Sequence, residues 1–481
     1  MNIQDTIVAL ASPAGAGAIA VIRVSGTDAI NICTPLFKSI HDKNLAKQKT
    51  HTIHLGHIID GERVIDQVLV SLFRGSNSYT GEPTVEISCH GSSYIQQEII
   101  QLLLRSGCRA AQPGEFTLRS FINGKMDLSQ AEAVADLIAS DNEASHQIAM
   151  QQMRGGFSNE IAALRKELLD FASLIELELD FAEEDVEFAD RTQFKELVAR
   201  IMKVLKRLID SFATGNVIKN GIPVAIVGEP NVGKSTLLNA LLNEDRAIVS
   251  DIAGTTRDTI EDELSIGGIG FRFIDTAGIR ETTDTIEGLG IKKTFEKIKQ
   301  AQVVVYLFDA SLIQNSEFRI QKPSLPAASL PGGENYSSVL FEIEKIKNQF
   351  PLKPLVVIAN KVDQLDSAEI LNLKSQIPNI HLLSAKENMG VDELKSKLLD
   401  FVNTGALRND ETIVTNSRHY DALLKALEEI EKVQYGLETG LTGDLMAIDI
   451  REALYHFGEI TGQVTNDELL GNIFSQFCIG K

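Results

Sequence analysis

Gly228-x-x-x-x-Gly233-Lys234-Ser235 is a spacing that suits a bound phosphate chain. The two glycines let the backbone turn its N–H groups inward, Lys234 can reach the outer phosphates, and the Ser235 hydroxyl suits Mg²⁺. Asn231 and Val232 lie inside the loop, and Thr236 follows it. A glycine turn before a helix also arises by chance, so context decides. Here the apolar run 224–227 reads as a buried strand and 236–242 as the start of a helix, so the helix N-terminus adds its positive end to the loop.

Further elements follow in order. Ser250-Asp251-Ile252-Ala253 leads into Gly254-Thr255-Thr256-Arg257-Asp258, whose threonines suit Mg²⁺ and a γ-phosphate. Asp275-Thr276-Ala277-Gly278 follows a strand at 271–274. Its Asp can hold Mg²⁺ through water, and the Gly278 N–H can approach the γ-phosphate. Asn360-Lys361-Val362-Asp363 follows a strand at 355–358, and Ser384-Ala385-Lys386 follows one at 380–383. The Asp363 carboxylate can accept two N–H bonds from guanine N1 and N2, a pair that adenine lacks, and such a site can discriminate by roughly 10⁴. The Lys361 stem can lie over the base, and the 384–386 turn can offer an N–H to guanine O6. These motifs resemble the TRAFAC-class GTPases over residues 222–402.

One position departs from the Ras-like pattern. The residue after Asp275-x-x-Gly278 is Ile279, which cannot orient water as a glutamine does. Arg280, Glu281, Asp284 and Glu287 are nearby candidates for that task. The Asn231 carbonyl oxygen lies where a monovalent cation could neutralise developing charge.

The elements that position these residues are read from pattern and composition. At 481 residues, two to four domains are expected. The expected fold class is multidomain α/β: an N-terminal α/β domain at 1–125, a helical domain at 126–221 and 403–481, and an inserted, doubly wound Ras-like domain at 222–402. Strands are expected at 18–24, 67–73 and 84–90, with a helix at 94–104. Ile161, Leu164, Leu168, Phe171 and Ile175 step as one helical seam. Residues 176–190 hold eight acidic side chains and no basic one, either a solvated helix end or a partner surface. Pro- and Gly-rich residues 311–340 read as a loop insertion, and glycines 436, 440 and 443 as breaks between C-terminal helices. The hydrophobic fraction of 43% does not limit core formation. The net charge of −20 argues against general nucleic-acid binding. No apolar run reaches the ~18 residues of a membrane span. The four cysteines form no C-x-x-C, so a reduced, cytoplasmic setting is expected.

With the flanks included, the chain resembles the MnmE (TrmE) family. The residues that carry this are 5–9 (Asp-Thr-Ile-Val-Ala), 113–117 (Pro-Gly-Glu-Phe-Thr), 125–133 (Lys-Met-Asp-Leu-Ser-Gln-Ala-Glu-Ala) and 477–481 (Phe-Cys-Ile-Gly-Lys). The resemblance implies a GTPase that modifies the wobble uridine of certain tRNAs at C5. It implies an FAD- and NADH-using MnmG (GidA) partner in a heterotetramer or larger assembly. It implies a one-carbon unit from a tetrahydrofolate derivative, 5-formyl or 5,10-methylene, bound by a homodimeric N-terminal domain. K⁺ would fall to Asn231, Ser250, Ile252 and Thr255, and Mg²⁺ to Ser235 and Thr256. Glu287 would position water, and the folate would fall to Arg23, Glu86, Lys125 and Lys481.

Two residues stay open on the sequence. Cys478 reads either as a small buried hydrophobe or as a thiol nucleophile or acid in the uridine chemistry, with Lys481 nearby to lower its pKa. His90 reads as a turn residue or an acid/base. A regulatory GTPase of ribosome assembly, without folate chemistry, fits residues 222–402 equally well. A dynamin-like membrane machine lacks the basic amphipathic or apolar anchor it would need.

Overall fold

The structure, a computed structural model, describes residues 5–180, 191–245, 262–274, 295–317, 336–401, 412–475 and 477–480. The chain opens with β1 (Ile7–Leu10), β2 (Ile19–Ser25), α1 (Ala29–Leu36), β3 (Phe37–Ser39), β4 (Thr52–Asp60), β5 (Arg63–Phe73), β6 (Thr84–His90), α2 (Ser93–Arg105), β7 (Arg109–Ala110) and α3 (Glu115–Ile122). Helices α4 (Leu128–Ala139), α5 (Glu143–Met153), α6 (Gly156–Asp180) and α7 (Arg191–Asn220) follow. Then come β8 (Ile222–Val227), α8 (Lys234–Asp245), β9 (Asp262–Ile266), β10 (Ile269–Phe273), β11 (Val303–Asp309), α9 (Ala310–Glu317), α10 (Tyr336–Gln349), β12 (Leu355–Asn360), α11 (Ser367–Gln376), β13 (His381–Leu382) and α12 (Val391–Asp400). The chain closes with α13 (Ser417–Thr439), α14 (Gly443–Thr461) and α15 (Asp467–Ser475). Two compact units result. One holds residues 1–139, 149–209 and 416–481, and the other holds 140–148 and 210–415.

In the first unit a seven-stranded sheet runs β3-β4-β5-β6-β2-β1-β7, antiparallel except for the β1–β7 pair. Period-2 alternation sorts its side chains. Val8, Ile22, Val24, Val70, Val85 and Ile87 face the core under α1 and α2, meeting Cys33, Ile99 and Leu103. The opposite face carries Arg23, Glu86 and Ser88, with the exposed Ile53, Leu55 and Leu69 on the neighbouring strands.

The helical seam of the same unit forms as its periodicity requires. Ile161, Leu164, Leu168 and Ile175 of α6 are buried, and Phe171 stacks on Phe194 of α7 at 5.0 Å. Gly436 does not break α13. It is buried within the helix, where an added Cβ would lie 3.0 Å from Met446 Cγ of α14, so its lack of a side chain admits the next helix. Gly440 does end α13, with φ at 73°. The acidic run at 176–190 lies largely outside the described residues.

A buried charge cluster joins α4, α13 and α14. Arg418 Nε and Nη2 donate to Glu132 at 2.9 and 2.8 Å, His419 Nε2 lies 2.7 Å from Glu132 Oε2, and Arg418 Nη1 caps the Glu459 carbonyl at 2.5 Å. Burial alone would raise the Glu132 carboxyl. The charges of His419 and Arg418 outweigh it and hold the carboxyl at about 2.

The second unit holds a six-stranded sheet, β13-β12-β11-β8-β10-β9, parallel except for the β9–β10 hairpin. It is the expected doubly wound sheet with an antiparallel edge added, and β11 is buried along its whole length. The stretch 311–340 is not all loop. Helix α9 occupies its start and α10 its end, while residues 318–335 lie outside the described residues. The helical start has a local cause, because Asp309 accepts the Ser311 N–H at 3.0 Å in the manner of an N-cap.

Glu132→Gln should destabilise the first unit by about 3 kcal/mol, as expected when one partner of a buried pair is removed. The Glu132 pKa is depressed from 4.5 to about 2. Its stabilisation is therefore complete above pH 4.5 and disappears as pH falls toward about 2. Urea titrations of both proteins should show the gap between them closing across that window. A gap that stays constant would contradict this.

Candidate functional site

Strands β8, β11 and β12 end at one edge of their sheet, where a parallel α/β sheet places its ligands. The 228–235 loop leaves β8 there and runs into α8, which begins at Lys234. Lys234 Nζ donates to the Gly228 and Glu229 carbonyls at 2.8 and 2.6 Å, so the ammonium spans the loop. Ser235 and Thr236 occupy the first turn of α8. Asn231 takes a left-handed backbone with φ at 66°, a conformation that asparagine adopts more readily than most residues.

Asn360 ties this loop to the base-side loops. Its Nδ2 donates to the Val232 carbonyl at 2.8 Å, and its Oδ1 accepts the Ala385 N–H at 3.0 Å. Gly233 is required for that approach. With φ at 100°, an added Cβ would lie 2.2 Å from Asn360 Nδ2. Lys361 Nζ reaches the Asn231 carbonyl at 3.2 Å and Asp309 Oδ2 at 2.5 Å. Ser384 Oγ donates to Asp363 Oδ1 at 2.6 Å, which fixes the plane of the carboxylate. Val362 is buried beneath the loop, and Lys386 extends to solvent beside Glu387. The structure therefore brings together residues 231–236, 360–363 and 384–386. Residues 250–256 (with Ser250, Ile252, Thr255 and Thr256), 275–278 and Glu287 lie outside the described residues.

On the N-terminal sheet, Arg23 and Glu86 are cross-strand partners, with Arg23 Nε donating to Glu86 Oε1 at 2.9 Å. The Arg23 guanidinium lies 5.3 Å from the Tyr79 ring centre and 5.6 Å from that of Phe116. Lys125 Nζ donates to the Ser76 carbonyl at 2.6 Å, and its stem lies beside Gly81, so it borders the turn that carries Tyr79. Lys481 lies outside the described residues, but the tail before it is seated. Gly114 N–H donates to the Cys478 carbonyl at 3.4 Å, and Phe477 packs on Phe474. Gly480, with φ at 100°, lies so close to the end of β1 that an added Cβ would fall 2.2 Å from the Leu10 carbonyl.

The four cysteines divide sharply. Cys33, Cys89 and Cys108 are buried, and burial pushes the Cys89 and Cys108 thiols up to about 11. Cys478 is exposed, so it is not the buried small hydrophobe that was one of its two readings. His90 has a definite partner. Asp66 accepts its backbone N–H at 2.8 Å and lies 2.7 Å from its Nδ1.

Two groups were missed on the sequence. Asp309, at 3% exposure, falls in none of the expected elements or motifs. Glu115 was read only as a family signature. It is a hub in which Arg109 and Arg119 both reach its Oε1, at 2.5 and 3.0 Å, while its Oε2 accepts the Gln112 N–H at 2.8 Å. Burial opposes its charge, and the two arginines hold its carboxyl below the usual range.

A family model described as the GTP-binding protein TrmE N-terminus matches residues 6–125, and one described as the MnmE helical domain matches residues 128–478. A relative from Flavobacterium psychrophilum, named tRNA modification GTPase MnmE, is 73% identical over 481 residues and covers 100% of both chains. The chain belongs to the MnmE family of tRNA modification GTPases. Relatives of the same name are 71% identical in Flavobacterium johnsoniae, over 99% of both chains, and 71% identical in Christiangramia forsetii, over 100% of both. Among solved structures, the FeoB G-domain from Methanococcus jannaschii is 23% identical, with a TM-score of 0.24, covering 38% of this chain and 97% of that one. The expected fold class stands: an MnmE-family multidomain α/β chain with an N-terminal domain, a helical region and a P-loop GTPase unit.

Asp363→Asn replaces a carboxylate that accepts two N–H bonds with an amide that also donates. GDP binding should weaken by roughly 10² or more. Xanthosine diphosphate, which carries a carbonyl at C2, should bind the variant better than GDP does. Unchanged preference for GDP in a competition titration would contradict the assignment of this pocket.

Proposed function

We propose that this chain is a K⁺-dependent GTPase that acts with an FAD-containing, NADH-using MnmG partner. Together they install aminomethyl or carboxymethylaminomethyl groups at C5 of the wobble uridine of certain tRNAs. The one-carbon unit comes from 5-formyl- or 5,10-methylene-tetrahydrofolate. The observation that carries this reading is the seating of the Cys478 tail against Gly114 and Leu10. It brings the C-terminal motif to the same sheet that presents Arg23 and Glu86. Such an arrangement has no evident use in a regulatory GTPase of ribosome assembly.

The groups available suit a folate. Lys125 and Lys481 can pair its glutamate carboxylates, and Glu86, oriented by Arg23, can accept from a pterin N–H pair. The Tyr79 and Phe116 rings hold Arg23 on the sheet face. Ile53, Leu55 and Leu69, at 67, 39 and 46% exposure, lie on that same face, and burying them against a second copy would form the homodimer. Cys478 is the exposed thiol available for the uridine chemistry.

At the nucleotide site, Asp363 accepts guanine N1–H and N2–H while the Lys361 stem covers the base. Lys234 and the loop N–H groups hold the phosphates. Ser235, with Thr256, would hold Mg²⁺. Asn231, with Ser250, Ile252 and Thr255, would hold K⁺, which supplies positive charge where Ile279 cannot orient water. Glu287 would position that water. A cytoplasmic location suits a tRNA substrate, and for a chain of net charge −20 the partner would supply much of the RNA-binding surface.

The reading is tested by one paired experiment on wild-type and Arg23→Ala chains. Both should hydrolyse GTP at least about ten-fold faster in K⁺ than in Na⁺. Only the wild type should gain melting temperature with 5-formyl-tetrahydrofolate. Equal rates in the two salts, or no folate response in the wild type, would count against it.

A further inference from the structure

The Lys361 ammonium is held by a residue that lies outside every nucleotide motif. Asp309 ends β11 and pairs with Asn360 across the sheet. Its side chain is 4% exposed, and its two oxygens have separate tasks. Oδ1 accepts the Ser311 N–H at 3.0 Å and the Ser311 Oγ–H at 2.6 Å. Oδ2 accepts Lys361 Nζ at 2.5 Å. Lys361 leaves β12 with a left-handed backbone, φ at 63°, and spends a second N–H on the Asn231 carbonyl at 3.2 Å.

A buried carboxylate needs a charged or hydrogen-bonded partner to remain buried. Here that need fixes where a long, flexible side chain ends. A free lysine samples many rotamers, and ordering it on ligand binding costs affinity. Lys361 is ordered in advance, with its stem stretched between the base loop and the P-loop.

We propose that Asp309 is the positioning residue for Lys361, and that through it the guanine pocket and Asn231 are held in one arrangement before nucleotide binds. The proposal rests on the reading that residues 360–363 hold guanine.

Asp309→Asn separates this role from helix capping. The asparagine Oδ1 still accepts from Ser311, and asparagine caps helices as well as aspartate does. Its Nδ2, however, turns a donor toward the Lys361 ammonium, so the tie is lost. GDP release should become roughly ten-fold faster, the size expected for a hydrogen bond to a charged group. The KM for GTP should rise with kcat unchanged. The ratio of GDP to IDP affinity should not move, because Asp363 still reads the 2-amino group that IDP lacks. Ser311→Ala should leave release at the wild-type rate. In a Lys361→Met background, Asp309→Asn should add nothing further; with Lys361 in place, Asp309→Glu should keep part of the slow release that Asp309→Asn loses. Wild-type release from Asp309→Asn, or an equal effect of Asp309→Asn in the Lys361→Met background, would overturn the proposal alone. A wild-type chain that does not bind GDP would overturn the pocket assignment along with it.

Discussion

The nucleotide-binding unit depends on one buried amide. Asn360 is 2% exposed, and its donor and acceptor are both used, on Val232 and on Ala385. Removing it would leave a buried carbonyl and a buried N–H unpaired, each costing about 1–3 kcal/mol. It would also release three loops that leave three different strands. The absent Cβ of Gly233, the left-handed turn at Lys361 and the Ser384–Asp363 bond all follow from bringing those loops within reach of this amide. The described part of the site, the P-loop and the two base-side loops, is therefore held together by the protein's own hydrogen bonds, so its ordering cost falls on folding rather than on nucleotide capture.

The N-terminal sheet solves a different problem. One face is a packed core, while the other carries the half-buried Arg23–Glu86 pair. The edge near β1 and α3 is held by a charge network in which Arg119, 1% exposed, meets Asp5, Glu82 and Glu115. That network fixes the start of α3, and Gly114 at that start receives the Cys478 tail. Pro-Gly-Glu-Phe and Cys-Ile-Gly, 364 residues apart by the numbering of Gly114 and Cys478, thus form one local structure.

Strands and helices with strong periodicity were legible. The run at 84–90 became β6, and the seam from Ile161 to Ile175 became the buried stripe of α6. The residues of the P-loop, the 360–363 loop and the 384–386 turn were legible because phosphate and guanine demand particular groups at particular spacings. Partners distant in sequence were not legible. Nothing local to Asp309 points to Lys361, and nothing local to Glu132 points to Arg418, because each pairing is made by tertiary packing. The start of α9 was read as loop because the prolines and glycines farther along 311–340 dominated the composition. Gly436 was read as a break because the sequence cannot show that Met446 needs the space.

We propose that a preassembled guanine site drives wobble-uridine modification. It is tested most directly by nucleoside analysis of tRNA from cells lacking this chain's gene, complemented with the wild-type chain or with Asn360→Ala. C5-aminomethyl and carboxymethylaminomethyl uridines should disappear on deletion, return with the wild type, and stay absent with a stably expressed Asn360→Ala chain. Unchanged modification after deletion, or full rescue by Asn360→Ala, would contradict it.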